Sequence, residues 1–222
     1  MGCCSSSETP KKEEAARQPQ SHQSFEMHNI DTLNYVPEDA VARIRDPKRL
    51  VTQVHIVACS VLETGGNHWV ISLQTTTGGE EESAVRLEIR PGAYPGRDGY
   101  IGRLDVIHSS FEMMTRHHHK LVTIPPTTPG HCVAEWLDAI VAAGNHRYEF
   151  SREGRGCTGW VRDQFYLFVE TGLLPPGWEQ RVEHALTSAW VDGVLQGPWP
   201  VTQGRYLRRR KRMRGGKTAN RS

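Results

Sequence analysis

The order in which hydrophobic periods change along this sequence predicts an α+β domain, an antiparallel sheet packed against about three helices. Two early segments alternate apolar and polar residues with period two, as strands do. Later segments carry apolar residues at i, i+3 and i+4, the stripe of a helix that buries one side. Strands come first and helices follow, with one late strand, and that grouping differs from the regular strand–helix alternation of a parallel sheet.

Residues 1–45 are rich in Ser, Glu, Gln, Lys and Pro and have little apolar periodicity, so they read as a flexible arm. The folded domain is expected over 46–204. Val51, Val54, Ile56 and Val57 mark a first strand near Leu50. In the run from Asn67 to Gln74, Trp69, Ile71 and Leu73 share one face, and His68, Val70 and Ser72 share the other. Ala84 to Arg90 repeats the pattern with Val85, Leu87 and Ile89, which predicts an antiparallel hairpin with a long loop. Further strands are expected at Tyr100–His108 and Lys120–Ile124, the second ended by Pro125 and Pro126.

Thr128 as cap, Pro129 at the first helical position and Gly144 as stop predict a helix with Val133, Trp136, Leu137, Ile140 and Val141 on its buried side. Arg147 to Phe150 reads as a short strand. A second helix is expected from Cys157 to Thr171, ended by Gly172, and a third from Trp178 to Leu195 through Val182, Leu186 and Ala189.

The totals bound the class. A chain of 222 residues allows one domain plus tails, and six Trp, six Tyr and five Phe suffice for a core. No stretch approaches the roughly 18 consecutive apolar residues of a membrane-spanning helix. The polar N-terminus lacks the apolar core of a secretory signal. The five cysteines include an adjacent pair, Cys3 and Cys4, and the other three have no metal-ligand spacing, which fits a reducing compartment. No cofactor and no metal are implied. His117, His118 and His119 have no carboxylate or thiol spaced to complete a metal site and read as a solvated loop; Cys59, Cys132, Trp136, Trp160 and Trp190 read as core.

The net charge of +2 hides an asymmetry, because nine Lys or Arg and no acidic residue lie from Arg205 onward. Residues 205–222 are therefore expected to be a basic disordered tail on an acidic body. At the other end, Met1-Gly2-Cys3-Cys4-Ser5-Ser6 meets the pattern for myristoylation of Gly2, with Cys3 and Cys4 placed for palmitoylation. One myristoyl chain binds a membrane marginally, about 10⁴ M⁻¹, and a second acyl chain makes residence stable. The tail run Arg208, Arg209, Arg210, Lys211 and Arg212 reads as a contact for anionic lipid, at about 1 kcal/mol per basic residue. A nuclear import signal and a nucleic-acid contact are alternatives, the latter weakened because only Tyr206 supplies an aromatic for base stacking. These ends place the protein on the cytoplasmic face of a membrane, with the nucleus as the alternative.

One pair of residues has chemical potential. Cys157 opens a helix, where the positive end of the helix dipole favours a thiolate. His68 sits near a strand start, and an imidazole is the base that a thiol nucleophile needs. If the hairpin pairs its two apolar faces, Glu88 shares the face of His68 as a diagonal neighbour and is able to orient the ring. Arg90 shares that face too, and its charge opposes an imidazolium. The competing reading is a core thiol, since Cys157, Val161, Phe165 and Phe168 form one helical stripe.

Asn67-His68-Trp69 opening a strand, with Gly156-Cys157 opening a later helix, resembles the circularly permuted papain-like thiol enzymes, including lecithin retinol acyltransferase-like proteins. That resemblance implies Cys157 as nucleophile, His68 as base and Glu88 as orienter, acting on an ester or amide. Such proteins often carry Asn before the Cys and His or Phe soon after it, where this chain has Gly156 and Trp160. A closer resemblance spans about residues 50–207. The Asn-His-Trp strand, Val85-Arg-Leu, Arg147-Tyr-Glu-Phe, Gly156-Cys-Thr-Gly-Trp160 and Pro200-Val-Thr-Gln-Gly204 look like a fungal family of uncharacterised domains, and the similarity implies a single domain without implying an activity.

Three readings follow, one of them a nucleic-acid or nuclear role carried by the basic tail. The first is a membrane-tethered, noncatalytic binding or scaffolding domain of unknown ligand, with an unidentified protein as partner. The second is a papain-like hydrolase or acyltransferase with a small acyl substrate.

Overall fold

The computed structural model describes residues 42, 44–77, 83–110 and 117–207. In chain order the elements are β1 (Leu50–Val61), β2 (Asn67–Thr76), β3 (Ser83–Pro95), β4 (Tyr100–Ser110), β5 (Lys120–Ile124), α1 (Val133–Ala143), β6 (Tyr148–Phe150) and α2 (Cys157–Glu170). They are followed by α3 (Glu179–Leu186), β7 (Ser188–Val191), β8 (Val194–Pro198) and β9 (Arg205–Tyr206). The fold is α+β. Seven strands form one sheet in the order β5-β1-β2-β3-β4-β6-β9, every pair antiparallel. β7 and β8 make a separate two-stranded hairpin.

The alternation in β2 and β3 has the expected effect. Trp69, Ile71 and Leu73 and, from β3, Val85, Leu87 and Ile89 are all buried in one core with Trp136 of α1 and Trp160, Phe165 and Phe168 of α2. Trp136 meets Phe168 edge to face at 4.8 Å between ring centroids, the arrangement that ring quadrupoles favour. Trp190 is buried as well, so Trp136, Trp160 and Trp190 all belong to the core. No helix among the described residues is long and apolar enough to cross a membrane.

Three expectations need correction. α1 starts at Val133, beyond Thr128 and Pro129, because Cys132 is its N-cap and the Glu135 carboxylate accepts the Cys132 amide at 2.7 Å. That carboxylate satisfies the N-cap amide, while the Thr128 hydroxyl lies 3.2 Å from His131 Nε2. The third helix ends at Leu186 and does not continue to Leu195. Asp192 and Gly193 both take positive φ, 49° and 80°, and close the β7–β8 hairpin. An Asp-Gly pair flanked by apolar residues is a strong hairpin signal, and it overrides the weak helical stripe. Finally, Arg205 and Tyr206, expected in the disordered tail, form β9 against β6. The expected lipidation sites Gly2, Cys3 and Cys4 and the basic run Arg208–Arg212 lie outside the described residues.

Candidate functional site

The sheet brings His68 and Glu88 together by register. β2 pairs β3 with Ile71 opposite Leu87 and Ser72 opposite Arg86. One more step sets Glu88 beside Val70, on the face that carries His68 and diagonal to it. The His68 Nε2 and Glu88 Oε1 atoms are 2.8 Å apart. A register shift in β1 between Ala58 and Ser60 lies across from Trp69 and His68. Bulges of this kind bend a strand and re-aim the side chains beside it.

α2 supplies the third group. Its N-cap is Gly156, at φ 150°, where a Cβ would crowd the rings of Tyr148 and Phe150. The first residue of the helix, Cys157, is buried, and its thiol lies close enough to His68 for each group to shift the other's ionisation. Because Nε2 of His68 is committed to Glu88, Nδ1 is the nitrogen left for the thiol. The Thr158 hydroxyl lies 4.0 Å from the sulfur.

The charges agree with this geometry. Burial pushes the Cys157 thiol up, but the hydrogen bond and charge of His68, the Trp69 amide and Thr158 outweigh it and hold the thiol below its ordinary value. Burial likewise pulls the His68 imidazole down, and its bonds to Cys157 and Glu88 overcome that and raise it to about 9. Glu88 is held below the usual carboxylate range, with burial opposed by His68, Arg86 and Arg90. Both shifts run in the direction that favours a thiolate–imidazolium pair beside a carboxylate, and the two members titrate as a unit.

Arg90, expected to oppose an imidazolium, has its Nε 3.5 Å from the same Glu88 oxygen that meets His68. Its guanidinium is bound to Asp105, which sits directly across from Glu88 on β4. Arg103 also pairs with Asp105 at 2.8 Å, and Arg86 with Glu88 at 3.1 Å. Two carboxylates directly opposite each other on a sheet repel, and here three guanidiniums interleave with them. Arg86 and Asp105 were not singled out from the sequence, although Arg86 precedes Glu88 by two and Asp105 alternates with Arg103 on the same face.

Two further contacts fix this end of the fold. The Asn67 side chain accepts from the Trp190 N–H and donates to its carbonyl, both at 2.8 Å, which ties the start of β2 to the β7–β8 hairpin. Residues 199–207 then run past the first turn of α2. Gly159 lies so close to Thr202 and Gln203 that a Cβ there would clash with them. The strap ends as β9, and the Leu207 N–H donates to the Arg147 carbonyl at 2.9 Å.

Cys59 lies within electrostatic reach of Arg86, Glu88 and Cys157, and the other candidates play structural parts. Burial pushes the Cys59 thiol up to about 11, and its sulfur lies 4.0 Å from the Val57 carbonyl. Cys132 caps α1. His119 lies 3.2 Å from Asp192 at the hairpin turn, and no group of three metal-ligating side chains occurs among the described residues.

A family model described as a domain of unknown function, DUF7770, matches residues 54–207. That span runs from β1 to the end of the strap and includes all three residues of the Cys–His–Glu cluster. No curated protein matches the chain. No solved structure matches it either.

Proposed function

We propose that this protein, which belongs to the DUF7770 family, is a cysteine-dependent hydrolase or acyltransferase acting on an ester or amide. Cys157 is the nucleophile, His68 the acid and base, and Glu88 the group that orients the imidazole, in the manner of the permuted papain-like enzymes. A single observation carries this reading: a buried thiol is held below its ordinary pKa by an imidazole whose Nε2 is 2.8 Å from a carboxylate. A core thiol has no need of such a chain. Nucleophile, base and orienter within hydrogen-bond reach are the signature of covalent catalysis.

The chemistry balances as follows. The Cys157 thiolate attacks the substrate carbonyl carbon and forms a carbon–sulfur bond. The first-turn amides of α2, Cys157's own among them, have no intrahelical acceptor and are the nearest donors in sequence for the developing oxyanion. As the carbon–oxygen or carbon–nitrogen bond breaks, the leaving group takes the proton of the His68 imidazolium. Water or an acyl acceptor then gives a proton to neutral His68 and attacks the thioester, which restores the thiolate–imidazolium pair.

The same proposal places the enzyme on the cytoplasmic face of a membrane, held by acyl chains on Gly2 and on Cys3 or Cys4, with Arg208–Arg212 against anionic lipid. The sequence pattern at each end supports that location.

p-Nitrophenyl acetate tests the chemistry. The folded wild type is expected to release a burst of nitrophenolate matched to protein concentration and to carry an acetyl group on Cys157. Cys157→Ala abolishes both, and His68→Ala slows acylation by about 10²-fold or more, the usual worth of a positioned base. Folded protein that never acetylates Cys157 leaves the noncatalytic binding module as the better reading.

A further inference from the structure

The turn that delivers His68 and the loop that delivers Cys157 meet on one indole ring. Gly65 and Gly66 close the β1–β2 turn with φ of 85° and 73°, left-handed values that glycine adopts without strain. Both lie so near the Trp199 ring that a Cβ at either position would overlap it. Against the same ring stands Arg155, with its Cζ 5.2 Å from the centroid. Its backbone is fixed too: the Arg155 carbonyl accepts from the Ser151 N–H at 3.0 Å, and its own N–H donates to the Ser151 hydroxyl at 3.2 Å.

Arg155 differs from the arginines that surround Glu88 and Glu149. Arg86, Arg90, Arg103 and Arg205 each pair with a carboxylate. Arg155 is half-buried, yet among the described residues it forms no ion pair. Glu153, fully exposed and bonded to Ser151, acts on it only through space. A cation partly withdrawn from water, held by a ring and lacking a close counter-ion, attracts an anion more strongly than one on an open surface. It stands two residues before the thiol.

We infer that Arg155 anchors a carboxylate of the substrate, so that the favoured substrates carry a carboxylate a few bonds from the carbonyl attacked by Cys157. A guanidinium presents a planar fork of donors that matches a carboxylate with two parallel hydrogen bonds. The single charge of Arg155 suits a single carboxylate. This inference rests on the thiol-enzyme reading above and adds a substrate class to it.

Two alkylators of like size and unlike charge provide the test. Rates of Cys157 modification by iodoacetate and by iodoacetamide are followed in the full chain at low ionic strength. Mass spectrometry of the Cys157 peptide keeps the other thiols out of the reading. Arg155→Gln is expected to slow iodoacetate by about three- to tenfold, a change of roughly 1 kcal/mol in one charge–charge contact, and to leave iodoacetamide unchanged. Arg155→Lys retains part of the preference, since it keeps the charge without the fork, and added salt shrinks the wild-type preference towards that of Arg155→Gln. If Arg155→Gln alters both rates alike, or neither, the carboxylate anchor is overturned while the thiol chemistry stands. A wild-type Cys157 that iodoacetamide fails to label overturns the enzyme reading and this inference with it.

Discussion

Tyr148 donates its hydroxyl to the Gly156 carbonyl at 2.9 Å, so a side chain of β6 holds the residue just before the thiol. The same oxygen accepts the Gly204 N–H from the strap. The ring is fully buried and packs edge to face on Phe150 and Tyr206. Tyr148→Phe keeps that packing and removes only the bridge. Leaving the Gly156 and Gly204 backbone groups without this partner costs about 1–3 kcal/mol. The expected outcome is a lower urea midpoint together with slower alkylation of Cys157, because Gly156 sets where α2 begins. An unchanged midpoint and rate would show that the bridge holds nothing in place.

Glu88→Gln separates charge from shape. Gln still accepts a hydrogen bond from His68 but offers no charge to an imidazolium, so the His68 pKa is expected to fall from about 9 towards its ordinary 6.5. Each unit of that fall removes about 1.4 kcal/mol from the ion pair. Alkylation of Cys157 at neutral pH then slows by about tenfold or more. NMR titration of the His68 ring gives the decisive number, and a pKa that stays near 9 in the variant would remove Glu88 from its proposed role.

The pH dependence has a definite sign. Cys157 lies below its ordinary value of 9.0, so alkylation is expected to reach half its maximum at a pH under 9.0, where a free thiol is still largely protonated. Turnover of an ester additionally needs the imidazolium proton for the leaving group. It should therefore decline as pH rises through about 9, where His68 loses that proton. Stopped-flow rates across this range test both limbs. An alkylation midpoint at or above 9.0 would mean that the thiol is not activated.

Gly2→Ala removes the myristoyl acceptor and is expected to move the protein from membrane to soluble fractions of a cell lysate. Cys3→Ser with Cys4→Ser should weaken retention in a graded way, because one acyl chain binds only marginally. Unchanged membrane recovery of Gly2→Ala would count against lipid anchoring.

Most of the sheet was legible in the sequence, because β1 to β5 announce themselves through apolar alternation that the core then uses. α2 was legible for a local reason: Gly156 before it and Gly172 after it bracket a stripe of Val161, Phe165 and Phe168. Elements decided by one or two residues were harder. The Asp192-Gly193 turn outweighed a faint helical period, and Glu135 outbid Thr128 for the start of α1. β9 is only two residues long, and it exists because β6 offers it an edge, a tertiary fact with no local signature. In the cluster, Cys157, His68 and Glu88 were legible through their positions on helix and strand. The arginine–aspartate lattice around Glu88 was not, since it depends on the register between β3 and β4.

The placement of the strap has a consequence for biosynthesis. A ribosome releases the His68 strand long before the Cys157 helix, and it releases residues 199–207 after both. Until that last stretch emerges, Gly204 is not there to meet Tyr148, and β6 lacks its outer neighbour. A nascent chain therefore exposes Cys157 to its surroundings before the hydrogen-bonded frame around it is complete.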